Sequence, residues 1–414
     1  MRRRTMLGMT GAAAVGGAVF GAGPAAAHGR PRWLHTWVAM PQLTEPGNLP
    51  PAPFTGASST LVDTTLRQTV HVTIGGSRLR VRFSNAFGGA ALPITAAGVA
   101  LPAGGQAGVS AIVPGTARPL TFGGRASVVV PIGAQVVSDP VDLPVASGSN
   151  LTISTYLAAG QETLNLTSHP GSRTTTYLTN GNFVAAPDLS GAASVAHWYL
   201  ISGVEVPGTA PAIAIVGDSL TDGRGSTTDG NDRWPDQLFA RRRRTAILNQ
   251  AAGGNRVLND GLGPNVLARL DRDVLATSGV DRMLIFEGVN DIGTAPATVA
   301  DQKQVVDDLL FAFEQVVLRA HARDITAYGA TITPFGGNTG YDDPDGLREQ
   351  SRQAVNAVLR RGRLFDEIVD FDVAARDPAV PRQLNPAYDT GDHLHLNPAG
   401  YGALAAAVPL RWLS

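Results

Sequence analysis

The 414-residue chain has no cysteine. That excludes a thiolate nucleophile, a disulfide framework and any zinc or iron–sulfur site held by thiolates, so catalytic chemistry here must use oxygen and nitrogen groups. Lysine is nearly missing too. Lys303 is the single example, and the basic residues, otherwise arginine, balance the acids to a formal net charge of −1. With no cationic excess, nucleic acid is not an expected partner. The one basic run, Arg241 to Arg244, ends a helix-like stretch and reads as a solvated terminus complementing a helix dipole. Long apolar runs are also lacking. Past the N-terminus no segment approaches the roughly 20 apolar residues a membrane span needs, so stable membrane insertion is not expected.

What is present is a turn-rich globular composition, 43% hydrophobic with 48 Gly and 28 Pro, on a chain long enough for two domains. Residues 1–27 read as an export signal of the twin-arginine type. Arg2-Arg3-Arg4-Thr5-Met6-Leu7 leads into a weakly apolar Gly/Ala stretch and then Ala25-Ala26-Ala27, a small-residue cleavage site. Its glycine-broken apolar part is too short for a membrane anchor. A secreted, extracellular protein is the expectation.

Two periods divide the rest. Residues 30–206 carry short alternating β-branched runs separated by Gly, Pro, Ser and Asn, such as Thr69–Thr73, Leu79–Phe83, Ala126–Val130 and Leu151–Leu157. Many short strands at this spacing predict an all-β sandwich or jelly-roll domain. Residues 207–211, Pro-Gly-Thr-Ala-Pro, read as a linker. In residues 212–414 continuous apolar runs (212–216, 246–249, 283–286, 326–332, 368–371) alternate with helical stretches (235–243, 264–276, 298–322, 345–361, 398–408). That predicts a parallel sheet covered on both faces, with its site outside the carboxyl ends of the strands.

Those strand ends carry the reactive groups. The first breaks into Gly217-Asp218-Ser219-Leu220-Thr221-Asp222-Gly223, setting a hydroxyl where a nucleophile belongs, although Ser219 alone also fits a helix cap. Asp392-His393-Leu394-His395 supplies a base and its orienter. A carboxylate three residues before His395 can accept from one ring nitrogen while the other faces the serine. His35, His71, His169, His197 and His321 have no carboxylate in that relation. Reading Asp392, His393 and His395 as metal ligands lacks a second cluster to complete a coordination shell, so neither metal nor cofactor is expected. Oxyanion donors have two sources: the Gly253-Gly254 turn after the second strand and Asn290 in Gly288-Val289-Asn290-Asp291 after the third.

In this order, Gly217-Asp218-Ser219-Leu220, the glycine turn, Gly288-x-Asn290-Asp291 and Asp392-x-x-His395 resemble the SGNH/GDSL hydrolases over roughly residues 212–410. The resemblance implies a flavodoxin-like three-layer α/β/α fold and a serine esterase acting on carboxylic esters. Ser219 is then the nucleophile, His395 the base and Asp392 its orienter. The oxyanion hole would use the amides of Ser219 and Gly254 and the Asn290 side chain, with Gly253 as the alternative to Gly254. The ester stays open: a small molecule or a polysaccharide, with acetyl-sugar, short-chain acyl, aryl and lysophospholipid esters all compatible. The first half looks like the β-rich region preceding the hydrolase domain in some secreted bacterial relatives. It either shapes the cleft or binds glycan, with Trp33, Trp37, Trp198 and Tyr199 as stacking candidates and core packing as their alternative.

Overall fold

In the computed structural model, which describes residues 32–414, the β-branched runs of the first half pair into two large antiparallel sheets. The expected export signal at residues 1–27 lies outside the described residues. One sheet runs in the order Arg32–Val38, Ile201–Gly208, Gly76–Ser84, Val141–Val145, with Gln135–Val137 also paired to Gly76–Ser84. The other runs Ala193–Val195, Thr176–Asn180, Thr64–Val72, Ser149–Leu157, Ala96–Ala100, Arg118–Pro119. Leu34, Val81, Phe83 and Val204 from the first sheet meet Leu66, Val70, Leu151 and Ile153 from the second in a single apolar core, the packing of a sandwich.

Thr64–Val72 departs from one-sided alternation, because every residue in it except His71 is buried. Arg67 is the cause. Fully buried, its guanidinium donates to Ser154 Oγ and to the carbonyls of Ser110, Phe183 and Ala186, which draws two loops over the outer face of the sheet. Burial pulls its pKa down to about 10. Three of the four stacking candidates belong to the core: Trp37, Trp198 and Tyr199 are buried, with Trp37 edge-on to Trp198 at 4.9 Å. Trp33 is half-buried beneath the Arg80 guanidinium, 4.4 Å from its ring centre. None of the four lines the cleft that holds Ser219 and His395.

The second half forms a five-stranded parallel sheet of Ala212–Gly217, Ala246–Ala251, Val280–Phe286, Thr326–Ala330 and Glu367–Val369. In space the order is second, first, third, fourth, fifth. This is the flavodoxin-like order, whose crevice opens where the chain switches direction beside the first strand. Helices Trp234–Arg241, Val299–His321, Leu347–Arg360 and Pro398–Ala407 cover the sheet and make the wholly apolar first strand fully buried. The longest starts at a Thr298 side-chain cap on Asp301 N–H and buries Val305, Leu309, Ala312, Phe313, Val316 and Ala320 along one stripe.

Several boundaries differ from the sequence reading. Pro207 and Gly208, expected in the linker, pair with Trp33 and Arg32, so only residues 209–211 separate strand from strand. The helix expected over 264–276 is a short α-helix, Val266–Leu270, continued as a π-helical turn over Asp271–Leu275. The last strand ends at Val369, and Asp370 caps a new helix from Phe371 by accepting from Val373 N–H. Arg241 stands in the last turn of its own helix as expected, and it also donates to the carbonyls of Ala405 and Val408 at the end of another.

The two halves fold as one compact unit. Ala212, Ala246 and Leu248 of the parallel sheet belong to the sandwich core. A buried polar cluster joins them again: His35 N–H donates to Ser278 O at 3.0 Å, Ser278 N–H donates to His35 Nδ1 at 3.1 Å, and Ser278 Oγ donates to Glu205, which also accepts from Arg80 and Arg82. Burial depresses the His35 pKa to about 4, outweighing the attraction of Glu205. Burial alone would raise Glu205, but His35, Arg80 and Ser278 hold it near 2.

Candidate active site

The first parallel strand ends in a turn that only glycine permits, since a Cβ on Gly217 would lie 2.3 Å from Thr221 Oγ1. Asp218 then caps a single helical turn, Ser219–Asp222, by accepting from Leu220 N–H at 2.9 Å, and Ser219 becomes its first residue. Burial, with the nearby charges of Asp291 and Asp222, raises the Asp218 pKa to about 7. Glu287, at the end of the third strand, lies deeper. Burial and Asp218 push its pKa well above the usual range, and neither of its oxygens finds a hydrogen bond. Neither Asp218 nor Glu287 lines the cleft at the strand ends; both lie beneath it.

Ser219 Oγ lies 2.8 Å from His395 Nε2, and His395 Nδ1 lies 2.6 Å from Asp392 Oδ2. Because Asp392 accepts at Nδ1, that nitrogen carries the proton and Nε2 faces the serine as an acceptor. The other Asp392 oxygen accepts from the backbone N–H groups of Leu394 and His395, at 3.0 and 2.8 Å. Partial burial opposes ionisation of Asp392, but these amides and the imidazole overcome it and hold its pKa near 2. The same burial lowers His395 despite Asp392, and the Arg224 charge adds to the lowering. His393 turns away with a positive φ of 62° and bonds Asp389 instead, at 2.6 Å.

The oxyanion-donor candidates surround this line. Gly253 N–H is committed to Asp222 Oδ2 at 2.9 Å, whereas Gly254 N–H has no acceptor among the described residues. Gly254 has φ 73°, and a Cβ there would strike Leu262 at 2.4 Å. Asn290 donates one N–H to Asn255 O at 2.8 Å, and its carbonyl oxygen accepts from Tyr341 OH at 2.5 Å, which orients the amide and leaves its second N–H available. Asp291 accepts from Val257 and Leu258 N–H, both at 3.0 Å, tying the third-strand loop to the second.

These groups open into a cleft of about 390 Å³. Ser219, Gly254, Asn290, Tyr341, Leu394 and His395 form one wall; Gln42, Glu45, Asn48, Arg173 and His197 of the β half form the other. Glu45 is held by the amides of Gln42 and Asn48, at 2.5 and 2.9 Å.

Sequence reasoning missed three residues here. Tyr341 lies in a loop without a motif. Asp222 stood in the quoted strand-end segment without a role. His169, set aside for lack of a nearby carboxylate, bonds Asp222 Oδ1 through Nε2 at 2.8 Å, a partner that chain spacing could not reveal.

Residues 215–403 match the GDSL-like Lipase/Acylhydrolase family. No curated protein matches the chain. Among solved structures, it is similar to an acetyl xylan esterase from Geobacillus stearothermophilus, at 22% identity and a TM-score of 0.38, over 49% of this chain and 94% of that one. It is also similar to a GDSL-like lipase from Bacteroides thetaiotaomicron VPI-5482, at 17% identity and a TM-score of 0.35, over 47% and 84%. Within the α/β half, residues 215–403 form a GDSL-like lipase/acylhydrolase domain.

Proposed function

We propose that the protein is a secreted serine esterase hydrolysing short-chain acyl or acetyl esters. One observation carries the reading: the Ser219–His395–Asp392 line, at 2.8 and 2.6 Å, opens directly into the cleft. Ser219 Oγ attacks the ester carbonyl while its proton passes to His395 Nε2, and Asp392 stabilises the imidazolium that forms. The amides of Ser219 and Gly254 and the free N–H of Asn290 receive the oxyanion. Collapse breaks the carbon–oxygen bond to the alcohol, which leaves with the proton from His395. Water, deprotonated by the same nitrogen, then cleaves the acyl-serine and returns the proton to Ser219.

The polar wall of Gln42, Glu45, Asn48, Arg173 and His197 supports an alcohol portion bearing hydroxyl groups, as in an acetylated sugar, over a long-chain lipid. The arginine-led segment at residues 2–7 and the Ala25–Ala27 site support export. Among the described residues no helix is long and apolar enough to cross a membrane. The test is covalent labelling by a fluorophosphonate, followed by a panel of nitrophenyl esters and acetylated sugars. Ser219→Ala should abolish labelling and reduce turnover by on the order of 10⁴-fold or more. A Ser219→Ala enzyme as active as the parent would overturn the reading.

A further inference from the structure

The glycine pair after the second strand presents a geometric problem. Two successive residues without side chains have wide backbone freedom, yet an oxyanion donor must be held within a few tenths of an ångström of its productive place. The pair sits in a turn closed by Asn255 N–H on Ala252 O at 3.1 Å, and the one side chain that holds the peptide before the donor is Asp222, whose Oδ2 accepts from Gly253 N–H at 2.9 Å. Asp222 in turn is held from outside the α/β half.

Its other oxygen faces His169 Nε2 at 2.8 Å, and the opposite ring nitrogen of His169 lies 3.0 Å from Met40 O. A carbonyl only accepts, so Nδ1 carries a proton, and a further proton lies between Nε2 and the carboxylate. Gly171 presses on the same carboxylate so closely that a Cβ there would sit 1.7 Å from Oδ2. Behind the imidazole, Trp198 stacks at 5.7 Å with its Nε1–H bonded to Thr69 O at 3.0 Å, and Trp37 packs edge-on against Trp198. Both partners are nearly dry, with side chains 4% and 5% exposed. A rigid path therefore runs from the sandwich core, through one histidine and one aspartate, to the glycine loop.

We propose that His169 is a positioning residue for the oxyanion hole: acting through Asp222, it fixes the Gly253–Gly254 backbone, so the β half completes the catalytic centre of the α/β half. This rests on the esterase reading and on Gly254 as an oxyanion donor. His169 touches no reacting atom, and its effect falls on the transition state, where the donor is needed, rather than on substrate binding.

The experiment compares two amides on the full chain. In His169→Gln the side-chain nitrogen reaches the place of Nε2 and keeps a donor on Asp222. In His169→Asn it reaches only the place of Nδ1, keeping Met40 and abandoning Asp222. Turnover of 4-nitrophenyl acetate is expressed per serine labelled at the fluorophosphonate end point, so misfolded protein drops out of the count. The Asn variant should lose roughly 10- to 100-fold in kcat with KM little changed, a fraction of what losing a whole oxyanion donor costs. It should bind a trifluoromethyl ketone, which forms a tetrahedral adduct, more weakly by a similar factor, and the Gln variant should recover most of both losses. Equal kcat per labelled site in the two variants, or a change confined to KM, would overturn the proposal. Ser219→Ala in the same assay separates the two failures: if that variant still turns over, the esterase reading falls, and if it is inactive while Asn and Gln match, only the role of His169 falls.

Discussion

The α/β wall of the cleft pairs His395 with Asp392 across three residues of one loop, whereas the β wall brings His169 to an aspartate 53 residues further along the chain. The two pairs have similar hydrogen-bond lengths and opposite surroundings. His395 has a serine on its far nitrogen and stands at the cleft; His169 has a main-chain carbonyl there and is sealed under tryptophan. A histidine that must pass a proton needs one nitrogen facing a proton source and an orienter on the other. Acceptors on both sides lock a ring in place and leave it nothing to exchange. In the proposed mechanism, the partner on the far nitrogen, rather than the carboxylate, distinguishes a base from a brace.

Three measurements sharpen this contrast between the wall proposed to react and the wall proposed to hold. The largest effect is expected at Asn290. Asn290→Ala removes a donor from the proposed oxyanion hole and should lower kcat by roughly 10²–10³-fold with KM little altered, read in steady-state hydrolysis of a nitrophenyl ester. If KM rises instead, Asn290 binds substrate and the contrast weakens.

Next comes the seam between the walls, where His35 is kept neutral with a pKa near 4 against an ordinary value of 6.5. Its folded-state pKa is depressed, so its contribution to stability is complete above about pH 6.5 and is lost as pH falls toward 4. One residue with this shift accounts for on the order of 3 kcal/mol. Urea unfolding at pH 7 and pH 4 should reveal the loss, and His35→Gln should flatten it. An equally steep acid dependence in that variant would assign the loss to other groups. The smallest effect belongs to Tyr341, which orients Asn290 without touching substrate in the proposed mechanism. Tyr341→Phe deletes one hydrogen bond and should cost about 5- to 10-fold in kcat, near the ~1 kcal/mol such a bond contributes; a loss as large as that of Asn290→Ala would mean the phenol itself meets the substrate.

Much of the fold was legible in the chain. Apolar runs of strand length separated by helical stretches forecast the parallel sheet, and Ser219, Asn290, Asp392 and His395 all stand at or beyond its strand ends. The β-branched alternation likewise forecast the antiparallel sheets, but failed for Thr64–Val72, where a polar Arg67 draws loops over the outer face. Boundaries slipped where proline and glycine were read as a break: Pro207 and Gly208 end an interior strand and stay paired with Trp33 and Arg32, past Glu205, where the pairing with Gly76–Ser84 stops.

What the sequence by itself determined is whatever depends on near neighbours: the period of each strand and helix, the turn at Gly217, and the reach of Asp392 to His395. Only the tertiary structure decided that His169 meets Asp222, that Tyr341 orients Asn290, and that Gln42, Glu45 and Asn48 face Ser219 across the cleft. The physical reason is that a hydrogen bond between distant segments leaves no spacing to read. It forms because burying the sandwich core and the sheet together brings those segments within 3 Å, and that packing is a property of the whole chain.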